Sequence, residues 1–299
     1  MSKLPSIRKT AKIGGLAAGA VLGLAGGIAA LVSYRVTRPK RLWFDMVPAE
    51  GHEIEDVCFA GSEGYRLSGW FLPAARTRAP AVILCHGWHM SRMETRQVAL
   101  DLNSAGWSVL LFDFRGCGQS EGKTSTVGYR EVDDLLGALS YLRTRPEVDF
   151  GRVGVMGISL GAAVALMAAA KCDDIRAVVA DSCFATLEQI VGQAFDALYR
   201  LPHFPFRYLS VRLTEFVVGV PAGTIRPVEA VRRMAPRPLF FIHGERDRMV
   251  PPHNSEELYA AARGERELWI VPGAEHTMAR FVSPEEYTRR VQAFFKQHL

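Results

Sequence analysis

The strongest constraint on this chain is a series of compact apolar runs: AVILC from Ala81, WSVLLFDF from Trp107, RVGVMG from Arg152, IRAVVAD from Ile175, PLFFIHG from Pro238 and ELWIVPG from Glu267. Each is rich in β-branched or aromatic residues and reads as a strand. A strand apolar on both sides must be covered on both faces, which is the condition of a mostly parallel sheet between helices. Two further β-like stretches, Glu53 to Ala60 and Tyr65 to Leu72, flank the turn-prone GSEG and predict a hairpin. The sheet is thus expected to have about eight strands, flanked by helices.

Helical patterns occupy the gaps. Val132, Leu135, Leu136, Leu139 and Leu142 form one apolar stripe that must end before Pro146. Near the C-terminus Ser283, Pro284 and Glu286 have the spacing of an N-cap, a first-turn proline and a capping-box glutamate, and Tyr287, Val291, Phe294 and Phe295 supply the buried face. One gap is too long for a simple crossover. Residues 184–236, rich in aromatics and interrupted by prolines, form a helical lid insertion, or else additional helical packing without a role in substrate binding.

The segment Ile13 to Tyr34 carries no charge over 22 residues, with basic residues on either side. As a helix it spans roughly 33 Å, enough to cross a bilayer core. Residues 1–41 therefore read as a single-pass membrane anchor with basic flanks, ahead of an α/β domain at 42–299. A signal peptide cleaved around Ala29 or Ala30 and a buried soluble helix are the competing readings. Gly15, Gly19, Gly23 and Gly27 recur along one helix face and allow self-association, although small residues abound in this segment. Four basic residues on each side give no orientation signal. Five cysteines without paired spacing suggest neither disulfides nor zinc and lean towards a cytoplasmic domain.

The formal charge of +5 does not point to nucleic acid. Eight of the 36 basic residues lie in 1–41, which holds no acid, leaving 28 against 31 acids in the rest of the chain. The basicity belongs to the anchor and its flanks.

Within the strand RVGVMG and the apolar run LGAAVALMAAA lies GISLG, so Ser159 sits between a strand and a helix, where a strained turn exposes a nucleophile. A serine hydroxyl needs a base, and the base needs an acid to set its tautomer. His276, in the loop after the last predicted strand, and Asp247, directly after PLFFIHG, fill those roles, with Asp181 as the alternative acid. The backbone N–H groups of Trp88 and Leu160 are the expected oxyanion donors. Bland readings cover the remaining polar residues. His86 is structural, Asp113 and Arg115 tie a loop, Cys117 and Cys183 are packing residues, Glu245 and Glu275 are exposed carboxylates, and His89 and His253 lie at the surface. No grouping suits a metal ion.

The motifs HGW at His86, DFRGCGQS at Asp113, GISLG at Gly157, ADS around Asp181, HGERDRMVP at His243 and GAEH at Gly273 occur in order. Together they resemble the α/β-hydrolase superfamily, most closely its serine-aminopeptidase-like and bud-emergence-related branch of membrane-anchored hydrolases. The resemblance covers about Ala81 to the C-terminus. It implies an α/β-hydrolase fold, a triad of Ser159, Asp247 and His276, and no cofactor. The expected activity is hydrolysis of carboxylester or thioester bonds through an acyl-enzyme. Phe195, Tyr199, Phe204, Phe206 and Tyr208 in the insertion favour an apolar acyl or aromatic substrate, lipid-derived given the anchor. A peptidase or amidase of the same fold, and a non-catalytic membrane-anchored binding module, are the alternatives.

Overall fold

A computed structural model describes residues 7–299 except Trp43, residues 46–48 and Arg200. Side chains are described from Gly19 onward, apart from those of Ser62, Ala194 and residues 196–199. The chain begins with the long helix α1 (Ile7–Thr37), followed by strands β1 (Glu55–Ala60), β2 (Arg66–Leu72) and β3 (Ala79–Cys85). Then come α2 (Arg96–Ser104), β4 (Ser108–Phe112), α3 (Glu131–Arg143), β5 (Val148–Ile158), α4 (Leu160–Ala169) and β6 (Ile175–Asp181). The insertion carries α5 (Leu187–Tyr199), α6 (Tyr208–Val218) and α7 (Pro227–Arg233). The chain ends with β7 (Leu239–Gly244), α8 (His253–Ala261), β8 (Arg266–Val271), the short α9 (Ala279–Val282) and α10 (Pro284–His298).

All eight strands join one sheet in the order β1-β2-β4-β3-β5-β6-β7-β8. The expected hairpin β1–β2 is antiparallel, β2 is antiparallel to β4, and the remaining pairs are parallel. Successive side chains divide between two cores, as the period of two along a strand requires. Ile83, Val155, Val178 and Phe241 pack towards α3, α4 and α7. Their neighbours Leu84, Met156, Val179 and Ile242 pack towards α2 and α10. The apolar runs are continuous because each face has its own helical layer.

Two expectations change in detail. Ser283 does cap α10 and Pro284 does open it, but the Ser283 side chain makes no cap hydrogen bond. Glu286 turns forward to accept from Arg290 Nε at 2.6 Å and Arg289 Nη2 at 2.7 Å, so the capping box is not formed. Guanidinium partners one turn ahead offer a stronger, charge-assisted bond than the backbone N–H behind. The stretch 184–236 is also not all cover. Phe184, Ala185, Val228, Val231 and Met234 belong to the body core, and α7 packs on α4. The start of α5 also joins that core through Leu187, Ile190 and Val191, so the part standing clear of the body is centred on α6.

Helix α1 is longer than its apolar segment, and Gly19–Thr37 is long and apolar enough to cross a membrane. From Gly19 to Leu24 it is exposed on all sides, and from Ala25 onward one face is buried: Ala25, Ala29, Val32, Ser33 and Thr37. That face packs on α6 and on the turn His203–Arg207 before it. The glycine face is elsewhere. A Cβ built at Gly19, Gly23 or Gly27 meets nothing within 4 Å, and the surroundings of Gly15 lie outside the described residues.

Candidate active site

The carboxyl ends of β3, β5, β6, β7 and β8 lie side by side, and the loops leaving them converge. Cys85 at the end of β3 is in register with Gly157 in β5, and Ile158 with Asp181 at the end of β6. Ser159 follows at φ 52, ψ −111, a left-handed conformation that side chains rarely adopt. Its N–H donates to the Asp181 carbonyl at 2.8 Å, and α4 starts at the next residue. The flanking glycines are required sterically. A Cβ at Gly157 would lie 2.2 Å from the Gly161 carbonyl oxygen, and one at Gly161 would lie 2.3 Å from that of Cys85.

Three of the residues singled out in the sequence form one hydrogen-bonded chain. Ser159 Oγ donates to His276 Nε2 at 3.0 Å, and His276 Nδ1 donates to Asp247 Oδ2 at 2.6 Å. The carboxylate fixes the tautomer, leaving Nε2 free to accept the serine proton. Asp247 is itself held by the N–H groups of Met249 at 3.0 Å and Val250 at 2.8 Å. Burial would raise its pKa, but hydrogen bonds from His243 and His276 outweigh burial and hold it below the usual carboxylate range. Asp247 is thus an anion beside an imidazole.

The alternative acid does something else. Asp181 Oδ2 accepts from the Tyr287 hydroxyl at 2.7 Å and Oδ1 from Ser182 Oγ at 2.9 Å. Ser182 Oγ in turn accepts from Thr277 N–H at 3.2 Å, so this buried carboxylate braces the backbone beside His276 without touching the imidazole. Burial raises its pKa, partly offset by those two hydroxyls. Ser182 and Thr277 also have positive φ, 53° and 59°. Such strain beside Ser159 and His276 is of the kind that tertiary structure must hold in place.

Leu160 adjoins Ser159 at the start of α4, and Trp88 lies in the loop that leaves β3. The ends of β3 and β5 are adjacent, and Gly161 lies against the Cys85 and His86 carbonyls. Among the described residues neither N–H has a protein partner. His86 is structural: its Nδ1 donates to the Gly87 carbonyl at 2.8 Å and its Nε2 accepts from Phe114 N–H at 3.0 Å. Burial lowers its pKa and keeps the ring neutral. Asp113 accepts from Arg92 N–H at 2.7 Å and Gln119 N–H at 3.0 Å. Arg115 grips Asp134 through Nε at 2.9 Å and Nη2 at 2.7 Å. Both tie loops. Cys117 and Cys183 are buried, which pushes their thiols up and leaves them inert.

Other side chains depart from expectation. His89 is half-buried rather than a surface residue, stacked on Trp88 with ring centroids 3.9 Å apart. Glu245 is exposed, as expected, and accepts from Gly273 N–H at 2.9 Å. Phe195 is buried and Phe206 half-buried, but Phe204 and Tyr208 face outward, 76% and 53% exposed, and so do not line a closed acyl pocket. The side chain of Tyr199 lies outside the described residues.

Three participants escaped the sequence reading. Glu94 accepts from Gly87 N–H at 2.6 Å and so braces the loop that carries Trp88; burial raises its pKa. His243 lies 3.3 Å from Asp247 and stands between Ser255 Oγ and the Val250 carbonyl, each at 2.6 Å. Tyr287 supports Asp181. Only His243 had a signal, as part of HGERD; the roles of the other two exist through contacts remote in sequence. No cluster of metal ligands occurs among the described residues.

The family model described as "Alpha/beta hydrolase family" matches residues 82–290. Among curated proteins, YqkD of Bacillus subtilis is 30% identical over 246 residues, covering 81% of this chain and 80% of that protein. Among solved structures, the Pyrococcus furiosus esterase Pf2001 is 30% identical with a TM-score of 0.74, covering 88% of this chain and 98% of that one. An acylaminoacyl peptidase of Pyrococcus horikoshii shares the fold at 19% identity and a TM-score of 0.64, over 84% of this chain and 42% of that one.

Proposed function

The chain belongs to the alpha/beta hydrolase family, and from that premise we propose that it is a serine hydrolase of ester-type bonds acting through an acyl-enzyme on Ser159. The observation that carries this reading is the chain from Ser159 Oγ through His276 to Asp247, at 3.0 and 2.6 Å, on a turn that strains the serine backbone. His276 takes the Ser159 proton as Oγ attacks the carbonyl carbon, and Asp247 stabilises the imidazolium that results. The N–H groups of Trp88 and Leu160 receive the negative charge that develops on the carbonyl oxygen. Collapse expels the alcohol or thiol with the proton from Nε2. Water, deprotonated by the same nitrogen, then releases the acid.

Similarity to the Pf2001 esterase favours an ester over an amide. So does the insertion. A peptidase for free N-termini needs an unpaired carboxylate there to hold the ammonium. Glu188, Glu215 and Glu229 are instead paired with Arg226 at 3.2 Å, Arg212 at 2.9 Å and Arg232 at 2.7 Å. The Asp196 side chain lies outside the described residues. In the same reading α1 is a retained membrane anchor. Cleavage near Ala30 would strip Ala25 and Ala29 from the face of α1 that packs on α6.

A fluorophosphonate probe tests the nucleophile. It is expected to label the folded chain and not Ser159→Ala. Equal labelling of both, or of neither, refutes the serine mechanism. A panel of short acyl esters and matched amides and peptides tests bond preference, and ready peptide cleavage without ester turnover refutes the ester reading.

A further inference from the structure

We propose that helix α6 and the turn before it are seated in the bilayer interface beside α1, so that the Ser159 site takes an apolar acyl ester directly from the lipid phase. This rests on the reading of α1 as a membrane span and of Ser159 as the nucleophile. The span has fixed ends. Arg8, Lys9 and Lys12 stand before the apolar segment and Arg35, Arg38, Lys40 and Arg41 after it, so sliding the helix in either direction drags cations into hydrocarbon.

The buried face that α1 presents to α6 and the preceding turn begins at Ala25, well inside that span. From Ala25 to Tyr34 the shared stretch is about 15 Å long as a helix, so the segment packed on α1 lies at membrane depth rather than above it.

What that segment shows to its surroundings fits lipid. Phe216 is 84% exposed, Phe204 76%, and Val217 and Tyr208 are also exposed. Aromatic and branched side chains displayed together against an apolar helix are not the surface of a free soluble domain. The charges present there suit a headgroup layer. Glu215 is tied to Arg212 at 2.9 Å and to Ala222 N–H at 2.9 Å. The Arg212 guanidinium, paired with Glu215, also lies over the Tyr208 ring at 5.5 Å, and its side chain is still exposed. The collar of Arg35, Arg38 and Lys40 is exposed and complements anionic lipid.

The site lies at the same end of α1. The Val36 carbonyl accepts from Trp88 Nε1 at 3.2 Å and lies 3.2 Å from His89 Nε2, and the Thr37 carbonyl accepts from Ser125 N–H at 2.8 Å. The loop that carries the proposed oxyanion donor is therefore held where the helix leaves the bilayer. Trp88, Met249 and Met278, next to or near the site residues in sequence, are exposed there too.

The test uses the full chain in vesicles of phosphatidylcholine and phosphatidylglycerol. With exposed Cys58 replaced by serine, an environment-sensitive dye is placed at Phe216→Cys and, as a control, at Lys296→Cys, which lies by Pro80, Trp107 and Arg152 at the amino ends of the parallel strands, opposite the end that carries Ser159. The dye at 216 is expected to emit to the blue and to be quenched by lipids nitroxide-labelled near the headgroup, with neither effect at 296. Val217→Cys gives the same readout if Phe216→Cys does not fold. Aqueous emission at 216 overturns the seating, even where fluorophosphonate still labels Ser159. A blue shift without lipid quenching also overturns it, in favour of a second copy covering the patch. Lipid quenching without Ser159 labelling supports the seating and refutes the hydrolase reading alone.

Discussion

Gly161→Ala tests whether the serine turn and the oxyanion loop are built against each other. The added methyl carbon would sit 2.3 Å from the Cys85 carbonyl oxygen and 2.6 Å from that of His86, both rigid backbone atoms at the end of β3. Ordinary contact begins near 3.4 Å, so the start of α4 and the end of β3 must part by about 1 Å. Those are the two segments that carry Leu160 N–H and Trp88 N–H. A misplacement of that size costs on the order of 100-fold in rate, or about 2.7 kcal/mol of transition-state stabilisation. Overpacking costs a further ~1–3 kcal/mol of stability. The assay is kcat/KM for a short chromogenic ester, with the rate of fluorophosphonate labelling and the thermal midpoint measured in parallel. Gly151→Ala is the control, because its nearest neighbour is the flexible Asp149 carboxylate at 3.4 Å. A folded Gly161→Ala with wild-type turnover refutes the proposed pairing of oxyanion donors.

Two further outcomes follow from the carboxylates and from His86. Asp247→Asn should leave the fold intact and lower kcat by about 10⁴-fold, because the amide donates where His276 must donate. Asp181→Asn should lose stability of about 1–3 kcal/mol against a much smaller rate effect; the reverse ranking in the same kinetic and melting assays would make Asp181 the acid. His86, whose folded pKa is lowered by burial, stays neutral while an unfolded chain protonates near pH 6.5. The unfolded state then binds more protons, so stability rises with pH through that window and is lost as pH falls below about 6.5, at up to ~1.4 kcal/mol per pH unit. Imidazole NMR shifts follow this directly, and a His86 midpoint at or above about 6.5 refutes it.

Much of this structure is legible in the chain, and the division follows physical range. The strands β3 to β7 are visible because both faces are covered over most of their length, and continuous apolar burial needs no partner to be identified; β8, at the sheet edge, is only partly buried. Ser159, Asp247 and His276 are visible because each follows its strand directly, so chain order reproduces spatial order. The roles of Glu94, Ser182 and Tyr287 are not legible for the opposite reason: an acid near a helix start, a serine after a strand or a tyrosine on an amphipathic helix has many equivalent uses. Their bonds to Gly87, Thr277 and Asp181 arise only once the sheet has closed. The orientation of Phe204 and Tyr208 is not legible in the chain. Composition marked them as apolar but not which side of the insertion faces the serine.

The last turn of α1 has a practical consequence. A helix end leaves carbonyls without intrahelical donors, and here those of Val36 and Thr37 receive the Trp88 indole and the Ser125 N–H. The apolar helix and the hydrolase body are therefore joined by contacts as well as by sequence. A shortened chain begun after α1, past Thr37, discards the acceptors that seat Trp88 and bares the face of α6 that packs on α1. Kinetics measured on such a fragment describe a site with one of its walls removed.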